Sequence, residues 1–336
     1  MGRRDRHTRP LAWPGVVGGA ITLLMVLLAA PPACRRAQDQ TPATPAGPKV
    51  HVVVSILPQK YFVEQVGGQF VDVDVLVGPG QNHHTYEPTP QQIAALANTQ
   101  IYFRIGMPFE EPFLRKMRSS FPDLRIVETQ EGVPLRTMQP GEVGLGDADS
   151  PHDAGEGEPK EGESHGAGHG ERPGDKDPHI WLDPKLVKIQ AENICLALQE
   201  VDPEHKADYE RNRDKFQAAL DALDAKIAKG LAPLKGREVY VFHPAYGYFT
   251  DAYGLKQVAV ETEGKEPGPK RLAELIERAK RSGVKLIFVQ PQFSKKTAET
   301  LAQEIGATVV SMDPLAPDYM ANLQEMARKI LDGLKR

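Results

Sequence analysis

Eight short runs rich in valine, isoleucine and aromatic residues recur along the chain, with helical spacing after or between them. VHVVVSIL (50–57), VDVDVLV (71–77), IYFRI (101–105) and LRIVET (124–129) form a first group. EVYVF (238–242), QVAVE (257–261), KLIFVQ (285–290) and TVVSM (308–312) form a second. Short apolar strands alternating with helices restrict a chain to α/β structure, because parallel strands need a helical crossover between them. Between the two groups, residues 203–230 read as one unbroken helix. Phe216, Leu220, Leu223 and Ile227 recur on it at spacings of four, three and four, a single apolar stripe. Its length of roughly 40 Å exceeds the width of one small domain. The expected architecture is therefore two lobes of parallel sheet with flanking helices (50–202 and 231–336), joined by one long helix.

Local signals set the element ends. Thr89, Pro90 and Gln92 spell a helix cap, a first helical residue and a capping box. Asp183-Pro184 and Asp202-Pro203 repeat the device, and Gly230 and Gly283 stand where left-handed caps are wanted.

Two segments fall outside this rhythm. Arg3, Arg4, Arg6 and Arg9 precede the apolar run Val16 to Ala30, which is too short for the roughly 20 residues of a membrane span but suits a signal peptide over residues 1–34. Cys34, in PPAC, is a candidate for lipid attachment, and residues 35–49 read as a flexible tether. The chain is therefore expected in the periplasm or at the cell surface. In residues 139–178 Asp and Glu far outnumber Lys and Arg, and large apolar residues are almost missing. Such a stretch cannot bury a core and is expected to be a disordered acidic loop. Its His152, His165 and His169 are candidates for loose metal contacts.

A net charge of −4 without a long basic stripe argues against a nucleic-acid partner. Two cysteines, Cys34 and Cys195, build neither a disulfide framework nor a thiolate zinc site. The chemistry instead sits at strand ends, where open α/β sheets bind ligands. VDVDVLV runs into a loop with His83 and His84; EVYVF ends at His243; TVVSM ends at Asp313; and DPHIWLDP places His179 where the ordered pattern resumes. Three histidine positions with one carboxylate or water form an ordinary tetrahedral zinc set, whereas calcium or magnesium would require mostly oxygen donors. An exported zinc hydrolase would use similar ligands. No HExxH motif pairs a general base with them, and a fourth protein ligand would close the site to water.

VGPGQNHHTYEPTP, DPHIWLDP, HPAYGYFTDAYGL, EPGPKRLAELI and FVQPQFS…SMDPL occur in the order and at about the spacing of the metal-binding receptors of ABC transporters. From Val50 to the C-terminus the chain resembles their zinc-uptake branch (ZnuA-like, TroA superfamily, cluster A-I solute-binding proteins). The resemblance implies two α/β lobes on a backbone helix, metal in the inter-lobe cleft, no catalysis, and a monomer that delivers Zn²⁺ to a membrane permease and its ATPase. It implies His84, His179, His243 and Asp313 as ligands. His83 occupies a position where relatives usually carry proline, and it either adds to the site or flanks it. Manganese- and iron-binding relatives tend to have glutamate where His243 stands, so zinc is favoured over a manganese or iron receptor or a metal-dependent adhesin. Cys195 has no partner in the folded part, so the second-lobe disulfide of some relatives is absent.

Overall fold

The computed structural model describes residues 47–139, 174–261 and 267–335. The expected signal peptide with Cys34, most of the tether, and loop residues 140–173 with His152, His165 and His169 lie outside the described residues. Among the described residues no helix is long and apolar enough to cross a membrane.

All eight strands form where the valine- and isoleucine-rich runs predict them. The first lobe comprises β1 (Val50–Ile56), α1 (Leu57–Gly67), β2 (Val71–Val77), α2 (Pro90–Ala95), β3 (Ile101–Arg104), α3 (Glu110–Met117) and β4 (Arg125–Glu128). α4 (Pro184–Val201) and α5 (Lys206–Leu231) follow. The second lobe comprises β5 (Glu238–Val241), α6 (Gly247–Ala252), β6 (Lys256–Ala259), α7 (Pro269–Arg281), β7 (Leu286–Val289), α8 (Lys296–Ile305), β8 (Thr308–Ser311) and α9 (Tyr319–Leu334). Both sheets are wholly parallel, in the orders β2-β1-β3-β4 and β6-β5-β7-β8. Each therefore presents all its strand C-termini, and the loops that follow them, along one edge. β1, flanked by two strands and covered on both faces, buries nearly every side chain, whereas edge strand β2 exposes Asp72 and Asp74.

The predicted caps at Thr89 and Asp183 both form. Thr89 accepts a bond from the Gln92 backbone in a complete capping box, and Asp183 accepts one from the Lys185 backbone. The long helix differs from expectation at each end. Residues Pro203–His205 make a tight 3-10 turn before α5, and Asp202 holds that turn by accepting bonds from His205 Nδ1 (2.7 Å) and Tyr209 Oη (2.5 Å). Gly230 is not a cap: α5 continues through it to Leu231, which is buried. Gly283 does adopt a left-handed conformation (φ 61°) just past α7.

The α5 stripe of Phe216, Leu220, Leu223 and Ile227 is buried as its spacing predicts, extended by Tyr209 and Leu231. This helix packs against α1 and α4 on one side and α9 on the other, so it touches helices of both lobes. The result is one continuous apolar core. It runs from Val54 and Phe62 through Phe216 and Leu220 to Tyr319, Leu323 and Val241. A smaller core, with Leu275, Ile287 and Leu301, fills the other face of the second sheet.

Candidate metal centre

The loop after β2 is fixed by its polar residues. Gly78 N–H donates to Gln81 Oε1, Gln81 N–H returns to Gly78 O, and Gly80 takes φ 73° at the turn. At the far end Gln92 Nε2 reaches back to Leu76 O on β2 (2.8 Å) while its Oε1 accepts from Tyr86 (2.6 Å). Between these anchors Asn82 Oδ1 accepts from the His84 backbone (2.8 Å), a side-chain-closed turn. It orients both rings inward: His83 is 1 % exposed, and the two rings lie 4.1 Å apart.

His179 begins the short 3-10 turn Ile180–Leu182 and is fully buried. Asp177 Oδ1 accepts both its backbone N–H (2.9 Å) and its ring Nδ1–H (2.8 Å). His243 follows β5. Gln290, past the end of β7, brackets its backbone, accepting from His243 N–H and donating to His243 O. Glu261, just past β6, accepts from His243 Nδ1–H at 2.6 Å, and the Phe293 ring stacks on the imidazole at 4.8 Å. With Nδ1 of both His179 and His243 donating to carboxylates, each ring turns an Nε2 lone pair toward the centre.

His83, His84, His179 and His243 each bring one ring nitrogen into a group whose members all lie within 4.8 Å of one another. His83 Nε2 is 3.3 Å from His179 Nε2, and His84 Nε2 is 2.9 Å from His243 Nε2. A tetrahedral zinc with bonds of 2.0–2.1 Å needs nitrogens about 3.3–3.4 Å apart; the His83–His179 pair matches this, the His84–His243 pair is shorter at 2.9 Å, and no separation in the group exceeds 4.8 Å. Its electrostatics suit a cation that excludes protons. Burial, and then the neighbouring rings, hold the pKa values of His83 and His84 well below the ordinary imidazole value. Burial also lowers that of His179, although Asp177 pulls the other way. Burial opposes ionisation of Asp177, but bonds from His179 and Arg136 outweigh it and keep its pKa below the ordinary value.

Three of the four expected ligands are thus brought together, and His83 joins them. Asp313 stands outside the group. Its Oδ1 is committed to Gln292 Nε2 (2.8 Å) and the Leu315 backbone (2.9 Å), so it serves the turn that leads toward α9. Trp181 Nε1–H donates to Pro314 O (2.8 Å), linking the His179 segment to the second lobe. Asp177, Glu261, Gln290 and Phe293 escaped the sequence reading as supports of the site. Asp177 lies two positions before His179 in the DPH motif, and the strand-end rule that selected His243 applies equally to Glu261.

Two parallel α/β lobes on a shared helix, closing over a buried imidazole cluster, define a two-lobed solute-binding protein with a transition-metal site. Residues 52–334 match the model of the ZnuA family, described as zinc-uptake complex component A, periplasmic, and the chain belongs to that family. It is 30% identical over 337 residues to the high-affinity zinc uptake system protein ZnuA of Bacillus subtilis (strain 168), covering 96% of this chain and 97% of that protein. It is 31% identical over 331 residues to ZnuA of Brucella suis biovar 1, covering 87% and 93%. A crystal structure of ZnuA superposes with TM-score 0.73 at 37% identity, over 85% of this chain and 99% of that one. A zinc-bound ZnuA deletion mutant superposes with TM-score 0.72 at 38% identity, over 85% and 98%.

Proposed function

We propose that this protein is an extracytoplasmic receptor that captures Zn²⁺ in the cleft between its lobes and delivers it to the permease and ATPase of an ABC transporter. His84, His179 and His243 are the ligands in this reading, with His83 in the fourth position. The observation that carries it is the convergence of four imidazole nitrogens, two of them oriented by buried carboxylates. Four neutral nitrogens suit zinc, and the cluster holds no carboxylate of the kind that manganese or ferrous iron would favour. A shell of four protein ligands also leaves no open position for substrate or water, which a zinc hydrolase requires. Capture and release, without catalysis, fit such a centre. The family's zinc-uptake description and the zinc-bound relative support the choice of cargo. In this reading the receptor acts as a monomer in the periplasm or at the cell surface, with Cys34 a candidate for lipid attachment.

Metal titration of the purified protein tests the reading. His84→Ala, His179→Ala and His243→Ala are each expected to abolish tight zinc binding. Wild-type affinity in all three would overturn the assignment.

A further inference from the structure

Arg136, in the segment after β4, makes several directed contacts around His179. Its Nη1 donates to Asp177 Oδ2 (2.8 Å) and its Nε to Asp251 Oδ2 on α6 (2.9 Å). Its backbone N–H donates to Tyr248 Oη (3.0 Å), and that hydroxyl donates to Asp177 O (3.0 Å). Asp177 N–H closes the circuit on Arg136 O (3.1 Å), beside a bridge between Thr137 and Lys176. The geometry is tight enough to demand glycine at the start of α6. A Cβ on Gly247 would lie 1.8 Å from Arg136 Nη1 and 2.7 Å from Asp177 Oδ2.

We infer that Arg136 is a positioning residue for the metal centre, holding His179 through Asp177 and tying both to helix α6 of the second lobe. The inference rests on the receptor reading above. Asp177 is fully buried and uses Oδ1 for His179 and Oδ2 for Arg136. A buried carboxylate that loses one partner must shift, take up a proton or draw in water. Each outcome changes the bond that orients the His179 ring. The attachment on α6 matters because that helix begins four residues after His243. Arg136 therefore joins the segment carrying one ligand to the segment carrying another, and it sets the spacing between them across the cleft. Loss of a group that orients a ligand typically costs 10–100-fold in metal affinity.

Two measurements test this on the full chain. In zinc competition against a chromophoric chelator, Arg136→Gln is expected to bind about 10–100-fold more weakly, with Arg136→Lys recovering part of the loss. Asp177→Asn should lose at least as much, and the double variant no more than Asp177→Asn alone, because both changes act on one connection. Additive losses, or wild-type affinity in Arg136→Gln, would overturn the inference. The second readout needs no zinc: the His179 Nδ1–H proton in imidazole NMR spectra of the metal-free protein. It should be slow to exchange in wild type and Arg136→Lys and lost or shifted in Arg136→Gln. An unchanged signal would refute the role of Arg136. Should Arg136→Gln not fold, Arg136→Lys decides by affinity: a partial loss supports the inference, and wild-type affinity would overturn it. Failure of the wild type to bind zinc would instead count against the receptor reading.

Discussion

Replacing His83 with alanine isolates the least expected member of the site. Its Nε2 stands 3.3 Å from His179 Nε2, the edge length of a tetrahedral zinc shell, so little movement is needed for it to ligate. Four-ligand zinc sites bind with about 10–16 kcal/mol in total, or about 2.5–4 kcal/mol for each ligand. Water entering the vacated position returns part of that, leaving a loss of about 1.5–3 kcal/mol, roughly 10- to 150-fold in Kd. The metal-free protein should tolerate the change, because His83 Nδ1 is buried with no hydrogen-bond partner among the described residues and its removal relieves that cost. The assay is chelator competition for Zn²⁺, paired with the visible spectrum of the Co²⁺-loaded protein. Wild type should show the strong bands of a four-coordinate nitrogen site, and His83→Ala the weaker bands of a site with added water. Trp181, whose ring lies 5.1 Å from His179, supplies a fluorescence signal for both titrations. Unchanged Kd and unchanged cobalt bands in His83→Ala would refute ligation by His83 and leave a three-histidine centre.

Other outcomes follow from the same geometry. In competition titrations Zn²⁺ should displace Mn²⁺ at equimolar concentration, since an all-imidazole shell lacks the oxygen donors that manganese prefers; equal occupancy would count against that shell. Gly247→Ala should weaken zinc binding at least tenfold by forcing Arg136 off Asp177, and chelator competition would reveal an unaltered Kd if the contact yields harmlessly. The metal-free protein should lose stability as pH falls below about 6.5. The sign follows from linkage: His83, His84 and His179 have lowered folded-state pKa values, so the unfolded chain takes up protons first. Denaturant melts from pH 7.5 to 5 should show this fall, and a flat profile would contradict buried, neutral rings.

Much of the fold was legible because its signals are local. The strands are contiguous runs of branched apolar residues, and the α5 stripe repeats at helical spacing, so both survive without knowledge of their neighbours. The ends of α5 were harder to place, since the Asp202 turn and the continuation through Gly230 depend on contacts made only in the folded state. At the site, the strand-end rule singled out His84, His179 and His243, whose rings the structure brings together, but could not show which way a loop side chain turns. Asn82 closing onto the His84 backbone accompanies His83 turned inward, and Gln292 and Leu315 engage Asp313 Oδ1. Arg136 carried no signal at all. Its partners Asp177 and Asp251 lie 41 and 115 residues away along the chain.

The carboxylates behind His179 and His243 also govern the electric field of the cleft. Asp177 and Glu261 each sit one hydrogen bond behind an imidazole, and Arg136 offsets one of them. Acceptor oxygens behind two of the rings favour a cation at their common centre over a proton on the rings. One apolar core runs through α5 into both lobes, so any hinge between them would have to break packing at Phe216 and Leu220.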